Sequence, residues 1–335
     1  MTLAFIALGL DHRHIYGMTE NMMGVGARCL GYWTDGAPQP LEGFVKRFPD
    51  LHRFDTLEAA LGAGADLALV SAIPADRGSL SIRAMETGHD VMTDKPGCTT
   101  LDQLAAIRAT VADTGRIWSI NFSERFEVPC VTLADALVVD GAIGRVVHTT
   151  GLGPHRLNRA TRPDWFFQRK RYGGVLTDIA SHQIDQFLHF TGSQTATVTM
   201  AHVANHANPQ DPGLQDFGEI ALRAPHGSGY IRVDWYTPDA LPNWGDGRLT
   251  LLGTEGYIEL RKYVDVAGRA GTDSLILVNG TRCETLDGRD AGLPYFERLS
   301  HDIAHRTETA MTQAHCFTVM ELALTAQRMA EAGEP

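Results

Sequence analysis

The sequence predicts a protein of two parts: an α/β part built on a doubly wound parallel sheet, and an α+β part with an open, mainly antiparallel sheet and helices on one face. Its 335 residues exceed one average domain. Residues 1–122 alternate β-rich runs with amphipathic segments, which is typical of a parallel sheet. Strand-like runs then follow one another with Gly and Asn turns between them, which favours antiparallel pairing. We expect domains over 1–122 and 123–335.

In the first domain, strands and helices take turns. The predicted strands are 3–9, 28–33, 65–73, 90–96 and 117–122, and the predicted helices are 14–26, 41–48, 56–62, 76–88 and 99–115. Parallel sheets of this kind bind ligands at the carboxyl ends of their strands. We therefore look for functional residues directly after each strand.

In the second domain, helices over 131–140 and 175–191 precede most of the strands. The strand-like runs are 195–203, 217–224, 229–236, 248–253, 256–263 and 275–280. The tail returns to helical periodicity over about 296–332, and this C-terminal helix is expected to pack back on the first domain.

The amino-acid composition argues against several classes of function. The formal charge of -11, from 40 acidic and 29 basic residues, opposes binding to nucleic acid. No apolar run is long enough for a membrane span and the N-terminus lacks the pattern of a signal peptide, so we expect a cytoplasmic protein without a membrane partner. The five cysteines form no C-x-x-C pair, which argues against a zinc ribbon or a disulfide framework.

The first strand runs into GLDHRH, where a dinucleotide-binding turn would begin. The fingerprint G-x-G-x-x-G allows a tight turn, approach of the pyrophosphate and close helix packing. Here its positions are Gly9, Asp11 and His14. We expect Asp11 to cap the next helix with its carboxylate turned away, and the backbone near His12 and Arg13 to face the pyrophosphate. A plain strand-to-helix turn with an Asp N-cap is the alternative. We expect His-Arg-His to be a solvated helix start rather than a pair of metal ligands, and no metal site.

Asp35 follows the second strand, where an acidic residue binds the ribose hydroxyls of NAD. Its charge would repel a 2′-phosphate, so NAD is the expected cofactor and NADP the alternative. An ordinary turn aspartate would also fit this position.

Two stretches carry residues suited to catalysis. VMTDKP places Asp94 and Lys95 at a strand end, where Lys95 faces the ligand edge or lies in a surface loop. GGVLTDIASHQID places Asp178 and His182 at i and i+4 of a predicted helix, with Asp185 further along. A histidine oriented by a carboxylate suits proton transfer with an alcohol oxygen; a helix-start carboxylate and a core histidine are the alternative.

Together these stretches resemble the Gfo/Idh/MocA family of NAD(P)-dependent oxidoreductases over essentially the whole chain. DKP is similar to the family's E-K-P motif, SAIP to its proline-ending strand, NFSERFEVP to N-x-x-x-R-F-x-x-P, and GGVLTDIASHQID to G-G-G-x-x-x-D-x-G-x-H-x-x-D. GLDHRHIY with RPDWFF resembles the branch of 3-keto glycoside reductases and dehydrogenases. The chain departs from the motifs at Asp94, Val175 and Ala180, and most in its phosphate turn; from Val175 and Ala180 we expect a more regular helix there.

The resemblance implies an N-terminal Rossmann domain, a carbohydrate substrate bound between the domains at the nicotinamide, and an oxidoreductase that moves hydride between NAD(H) and a secondary alcohol or ketone of a sugar, polyol or keto-glycoside. It implies that Lys95 contacts cofactor and substrate oxygen, that His182 is the general acid/base, and that Asp178 completes the triad. Ile73, Pro74 and Asp94 would line the cofactor. Trp165 and Arg125 are candidates for the sugar pocket or for packing near the domain boundary.

Two other functions remain open at this point. A metal-dependent lyase or hydrolase would use Asp178, His182 and Asp185 with a loop histidine such as His155. A non-catalytic NAD-bound sensor would keep the scaffold without turnover. In relatives the open sheet face is commonly covered by another subunit, so we expect a homodimer or homotetramer through the C-terminal sheet.

Overall fold

The computed structural model describes residues 2–333, which divide into two compact units. The first comprises residues 2–121, 163–173 and 294–320, and the second comprises 122–162, 174–293 and 321–333. Both sheets of the predicted fold class are present, one in each unit.

The helices are α1 (His14–Gly24), α2 (Leu41–Arg47), α3 (Leu57–Leu61), α4 (Pro74–Glu86), α5 (Leu101–Thr114), α6 (Ser123–Phe126), α7 (Pro129–Val139), α8 (Arg169–Tyr172), α9 (Val175–Asp178), α10 (Ala180–Thr191), α11 (Pro294–His305) and α12 (Gln313–Ala332). The strands are β1 (Ala4–Leu10), β2 (Arg28–Trp33), β3 (Leu67–Ser71), β4 (Asp90–Asp94), β5 (Trp118–Asn121), β6 (Val146–Pro154), β7 (Thr197–Ala204), β8 (Phe217–Ala224), β9 (Gly227–Asp234), β10 (Arg248–Gly253), β11 (Gly256–Arg261), β12 (Ser274–Asn279) and β13 (Cys283–Asp287).

The sheet of the first unit is parallel, with strand order β2-β1-β3-β4-β5. Every residue of β1, β3 and β4 is buried, as expected for strands covered by helices on both faces. An additional bridge pairs Tyr32 with Arg53, parallel to β2. Counting that segment as a strand gives the classical dinucleotide-binding order, with its switch point beside β1.

The second unit holds an eight-stranded sheet in the order β13-β12-β11-β10-β6-β9-β8-β7. Its pairs are antiparallel apart from β6 with β9. β13 was not predicted, because this strand is short, polar and mostly exposed and so lacks an apolar face to detect.

Helices cover one face of this sheet. α10 packs on β6 and β9, and α7 packs on β11 and β12. The core between α7 and the sheet includes Val131, Leu251, Ile258 and Leu277. None of the helices in residues 2–333 combines the length and the apolar character needed to cross a bilayer.

Two predicted helices are each interrupted. The tail forms α11 and α12, because the buried carboxylate of Asp302 accepts hydrogen bonds from the backbone of Thr309 (2.9 Å) and Ala310 (2.7 Å) and so turns the chain. The helix predicted over 175–191 forms α9 and α10. The prediction that Val175 and Ala180 would make this helix more regular is therefore wrong.

The interruption between α9 and α10 has a local cause. The backbone N–H of His182 donates to the carbonyl of Ile179 (3.1 Å), three residues back. The Ser181 hydroxyl donates to the carbonyl of Asp178 (3.2 Å), which a continuous helix would offer to His182. Asp178 therefore ends one helix and His182 lies in the first turn of the next.

We predict that Gly9→Ala lowers the melting temperature strongly. Gly9 has φ +68° and a Cβ there would lie 2.6 Å from the Cβ of Ala72. Left-handed backbone costs about 1–2 kcal/mol and overpacking about 1–3 kcal/mol. Gly36→Ala is the matched control, because Gly36 has φ +58° with nothing near its Cβ position. Equal shifts in thermal denaturation of the two variants would contradict the close packing at Gly9.

Candidate functional site

The carboxyl end of β4 is the centre of the candidate site in the first unit. Asp94 ends the strand and is fully buried, and Lys95 follows it with 4% of its surface exposed. Lys95 is therefore not a surface loop lysine, which was the alternative.

A buried arginine that the sequence analysis missed holds this strand end. The Arg77 guanidinium is fully buried and donates to the carbonyls of Ala72 (2.7 Å), Lys95 and Pro96 (3.2 Å) and to the carboxylate of Asp94 (2.8 Å). It thereby ties the end of β3 to the end of β4 and positions the backbone of Lys95. The only sequence signal was an arginine in the first turn of a helix that follows a buried strand.

Both histidines of the first turn contact Asp94. His12 Nδ1 lies 3.0 Å and His14 Nδ1 2.8 Å from its carboxylate oxygens. The Ser71 hydroxyl is a further donor at 3.3 Å. The prediction that His-Arg-His is a solvated helix start is therefore wrong for the histidines, although Arg13 is exposed.

The electrostatics of this cluster follow from its burial. Burial alone would raise the pKa of Asp94, but Arg77, His14 and His12 hold it well below its usual range. Burial lowers the pKa of His12 to about 4, although Asp94 opposes this shift. The carboxylate is therefore ionised and His12 neutral at pH 7.

The phosphate turn differs from the expected one in two respects. The backbone N–H groups of Asp11 and His12 both donate to the carbonyl of Ser71, at 3.1 and 3.2 Å, so the His12 amide is not available to a pyrophosphate. Asp11 does not cap α1, whose first turn has no side-chain cap. Its carboxylate instead accepts a hydrogen bond from the Ile73 backbone, and burial raises its pKa to about 6. These two expectations are corrected by the structure.

The remaining candidates of the first unit lie close to the carboxyl ends of β1, β2 and β3. Asp35 is exposed directly after β2, and Ile73 and Pro74 join β3 to α4. Gly9 lets β1 approach Ala72 more closely than any side chain would permit. The chain thus fits a dinucleotide at this edge of the sheet, with an uncapped helix start and side chains taking over from the turn amides.

In the second unit, Gly174 places the start of α9. Its φ is +92° and a Cβ there would lie 2.2 Å from the side chain of Gln327. The Gln327 amide oxygen accepts from the backbone N–H of Leu176 (3.0 Å). Asp178 is half-buried, whereas His182 is 2% exposed and lies with its ring centroid 6.3 Å from that of Phe122.

Arg125 and Asp185 form a bidentate ion pair at 2.6 and 2.7 Å. Both oxygens of Asp185 are thereby bound by the guanidinium, which also stacks on the Phe126 ring. His155 packs between Trp235 and Trp244. Because Arg125 binds both carboxylate oxygens of Asp185, the metal centre considered for Asp178, His182, Asp185 and His155 is not favoured.

A second buried ion pair, also missed by the sequence analysis, supports α10. The Lys262 ammonium contacts Glu124 (2.7 Å) and Gln186 (3.1 Å), and Gln183 donates to Glu124 (3.0 Å). The Lys262 and Glu124 side chains are 0% and 3% exposed. This pair fixes one side of α10 while Arg125 fixes another. A lysine ending a strand gives no hint in the sequence that it is buried.

Trp165 lies in a 3-10 turn over Asp164–Phe167 and is half-buried, with its ring centroid 6.2 Å from that of Phe166. It belongs to the first unit, with Lys95, while Arg125, Asp178 and His182 belong to the second.

We predict that Asp11→Asn raises the melting temperature at pH 8 and that the gain shrinks toward pH 4. The pKa of Asp11 is raised from 3.8 to about 6, so the folded state binds this proton more tightly than the unfolded chain. The protonated form is stabilising below pH 4, and that stability is lost as the pH rises through 6. Asp35→Asn is the control, because Asp35 is exposed. A pH-independent effect of Asp11→Asn would contradict the assignment.

We predict that Lys262→Met lowers the free energy of unfolding by about 3–5 kcal/mol, because it leaves the Glu124 carboxylate buried without its ammonium partner. The double variant Lys262→Met/Glu124→Gln removes that uncompensated charge and should recover most of the loss. Urea denaturation of the single and double variants measures both effects. A single variant as stable as the double would show that the charge is not the cause.

Comparisons with known proteins agree with these motifs. The model of the GFO/IDH/MocA C-terminal domain matches residues 131–259. A solved structure from Erwinia carotovora atroseptica SCRI1043, described as an oxidoreductase, is 42% identical, covers 98% of this chain and 99% of its own, and superposes with a TM-score of 0.95.

Two further proteins are more distant. Scyllo-inositol 2-dehydrogenase (NAD(+)) of Bacillus subtilis (strain 168) is 24% identical over 264 residues, 76% of this chain and 72% of its own. A levoglucosan dehydrogenase, solved in complex with NADH and levoglucosan, is 18% identical, covers 100% of this chain and 98% of its own, and has a TM-score of 0.78, a likeness of fold. With its motifs, its sheets and a relative of 42% identity along almost its full length, the chain belongs to the Gfo/Idh/MocA family of oxidoreductases.

Proposed function

We propose that this protein is an NAD(H)-dependent oxidoreductase that transfers hydride to or from a secondary alcohol or ketone of a sugar or polyol. The observation that carries the proposal is Lys95, a buried lysine held at the carboxyl end of a parallel strand by Arg77 and Asp94. Ligands bind at that edge of such sheets. The scyllo-inositol and levoglucosan dehydrogenases support the reaction class and the substrate class by their names.

The proposed cofactor is NAD, with NADP as the alternative. One of these relatives is named for NAD(+) and the other was solved with NADH. Gly9 would admit the dinucleotide to the turn, and Asp35 would bind its ribose hydroxyls and repel a 2′-phosphate. Bound there, the nicotinamide supplies the hydride acceptor or donor. Asp11, His12, Arg13 and His14 would surround its phosphates.

The chain's own residues would handle the proton and the charge. An alcohol releases hydride readily only as its proton leaves, so His182 would accept the hydroxyl proton and return it in the opposite direction. The Lys95 ammonium would stabilise the developing alkoxide. Asp178 would bind substrate and orient the histidine.

Two further residues are proposed to contribute to binding of the sugar substrate. Trp165 would stack its indole on an apolar sugar face. Arg125 holds Asp185 on α10, so its contribution to substrate binding would be to position the helix that carries His182. A non-catalytic NAD-bound sensor is the second candidate; the set Lys95, Asp178 and His182 speaks against it, since binding alone needs no proton donor.

One experiment tests both the choice of cofactor and the reaction class. The purified protein is titrated with NADH and NADPH, and then assayed by nicotinamide absorbance against inositols, glucosides, anhydrosugars and 3-keto glycosides. We expect NADH to bind more tightly and at least one polyol or sugar to be turned over. Tight NADH binding with no turnover of any compound would favour the sensor.

Two substitutions test the roles. Lys95→Ala and His182→Asn are each expected to lower kcat by about 10²-fold or more, because each removes stabilisation of the transition state. His301→Ala, an exposed histidine of α11, is the control. Near wild-type kcat in either active-site variant, with an unchanged melting temperature, would refute the assigned role.

We propose a homodimer or homotetramer formed through the open face of the eight-stranded sheet. Leu252 and Tyr257 are paired neighbours on this face and are 45% and 40% exposed, and Val278 lies beside Tyr257. A cytoplasmic location belongs to the same proposal, because NAD(H) must be shared with the enzymes that recycle it. Sedimentation velocity reports the oligomeric state, and a monomer at micromolar concentration would refute it.

A further inference from the structure

The turn after β1 and the end of β4 bring three metal-ligating side chains together. His12 Nδ1, His14 Nδ1 and a carboxylate oxygen of Asp94 lie within 4.8 Å of one another. We propose that these residues form a binding site for a zinc-class transition-metal dication in the first unit, at the edge of the sheet where the dinucleotide is proposed to bind.

The donor set is that of known metal sites. Two imidazoles and one carboxylate bind zinc in hydrolytic enzymes and other first-row dications in open three-ligand sites. Nitrogen donors disfavour calcium and magnesium, which prefer oxygen ligands. The chemical class is therefore a borderline dication such as Zn²⁺ or Co²⁺.

The distances already approach those of a ligand set. The two histidine nitrogens lie 3.0 and 2.8 Å from different oxygens of the same carboxylate, and the two rings meet edge to face at 4.3 Å between centroids. Small side-chain rotations would direct all three donors to one point. An imidazole presents its Nδ1 lone pair to a metal when its proton sits on Nε2.

The surroundings supply support and access. Metal-binding carboxylates are themselves hydrogen-bonded. Here Arg77 and Ser71 both bind the Oδ2 oxygen of Asp94, while His14 faces its Oδ1 oxygen. The oxygen that Arg77 binds is also the one that His12 contacts, and the Oδ1 oxygen is left toward His14. His12 and His14 are 24% and 32% exposed, which leaves an entry path and room for water or a ligand oxygen on the metal.

The site also explains two departures from the family motifs together. His14 stands where the dinucleotide fingerprint has its third glycine, and the lysine is preceded by aspartate where the family motif has glutamate. The aspartate carboxylate contacts both imidazoles, one through each oxygen.

The test measures the metal alone, on the full chain without dinucleotide. Chelator-treated protein is titrated with Zn²⁺ by calorimetry and with Co²⁺ by visible absorption. We expect one ion per chain, and at least a tenfold weaker affinity in His14→Gln. Glutamine keeps an N–H donor for Asp94 but removes the imidazole. His12→Gln is the second variant if circular dichroism shows that the first is unfolded.

His301→Ala is the matched control, since His301 and His305 stack at 4.2 Å on α11 and offer a histidine pair without a buried carboxylate. Zinc binding that His14→Gln weakens and His301→Ala leaves unchanged supports the site. Absence of binding, or equal binding in wild type and His14→Gln, overturns it and shows a purely hydrogen-bonded cluster. Because no turnover or NADH is involved, either result leaves the proposed dehydrogenase activity to its own assay.

Discussion

The fully buried Arg77–Asp94 ion pair is the interaction on which the first unit depends. Burying a guanidinium and a carboxylate is costly unless both groups also form other hydrogen bonds, and here both do. Arg77 binds three carbonyls, and Asp94 also receives His12, His14 and Ser71. The pair therefore joins the carboxyl ends of β1, β3 and β4 at the edge where Lys95 emerges.

The second unit also buries charged groups, and these lie around the helix α10. Three buried polar side chains of α10 have partners on α6 or at the end of β11: Gln183 and Gln186 with the Glu124–Lys262 pair, and Asp185 with Arg125. Such networks define one orientation of a helix, because a rotation would leave several buried groups without partners. Because His182 lies on α10, these contacts also fix the position of its side chain.

The phosphate turn illustrates how a side-chain cluster can change a familiar motif. The amides of Asp11 and His12 are used by the Ser71 carbonyl, so the turn is held from within by the protein. What faces the ligand edge is a pair of histidines anchored to Asp94. His14, which replaces a glycine of the fingerprint, is thus also one of the two histidines that contact Asp94.

The sequence by itself determined the two sheets, most helices and the candidates Lys95, Asp178 and His182, because periodicity, turn residues and motif order are local properties. It also pointed to the family. Only the tertiary structure decided the partners of buried charges: Arg77 with Asp94, Lys262 with Glu124, and the histidines with Asp94 rather than with water. It likewise divided the helix between Asp178 and His182. These features depend on residues far apart in the chain, or on small hydrogen-bond shifts, and no local pattern encodes which buried group will meet which.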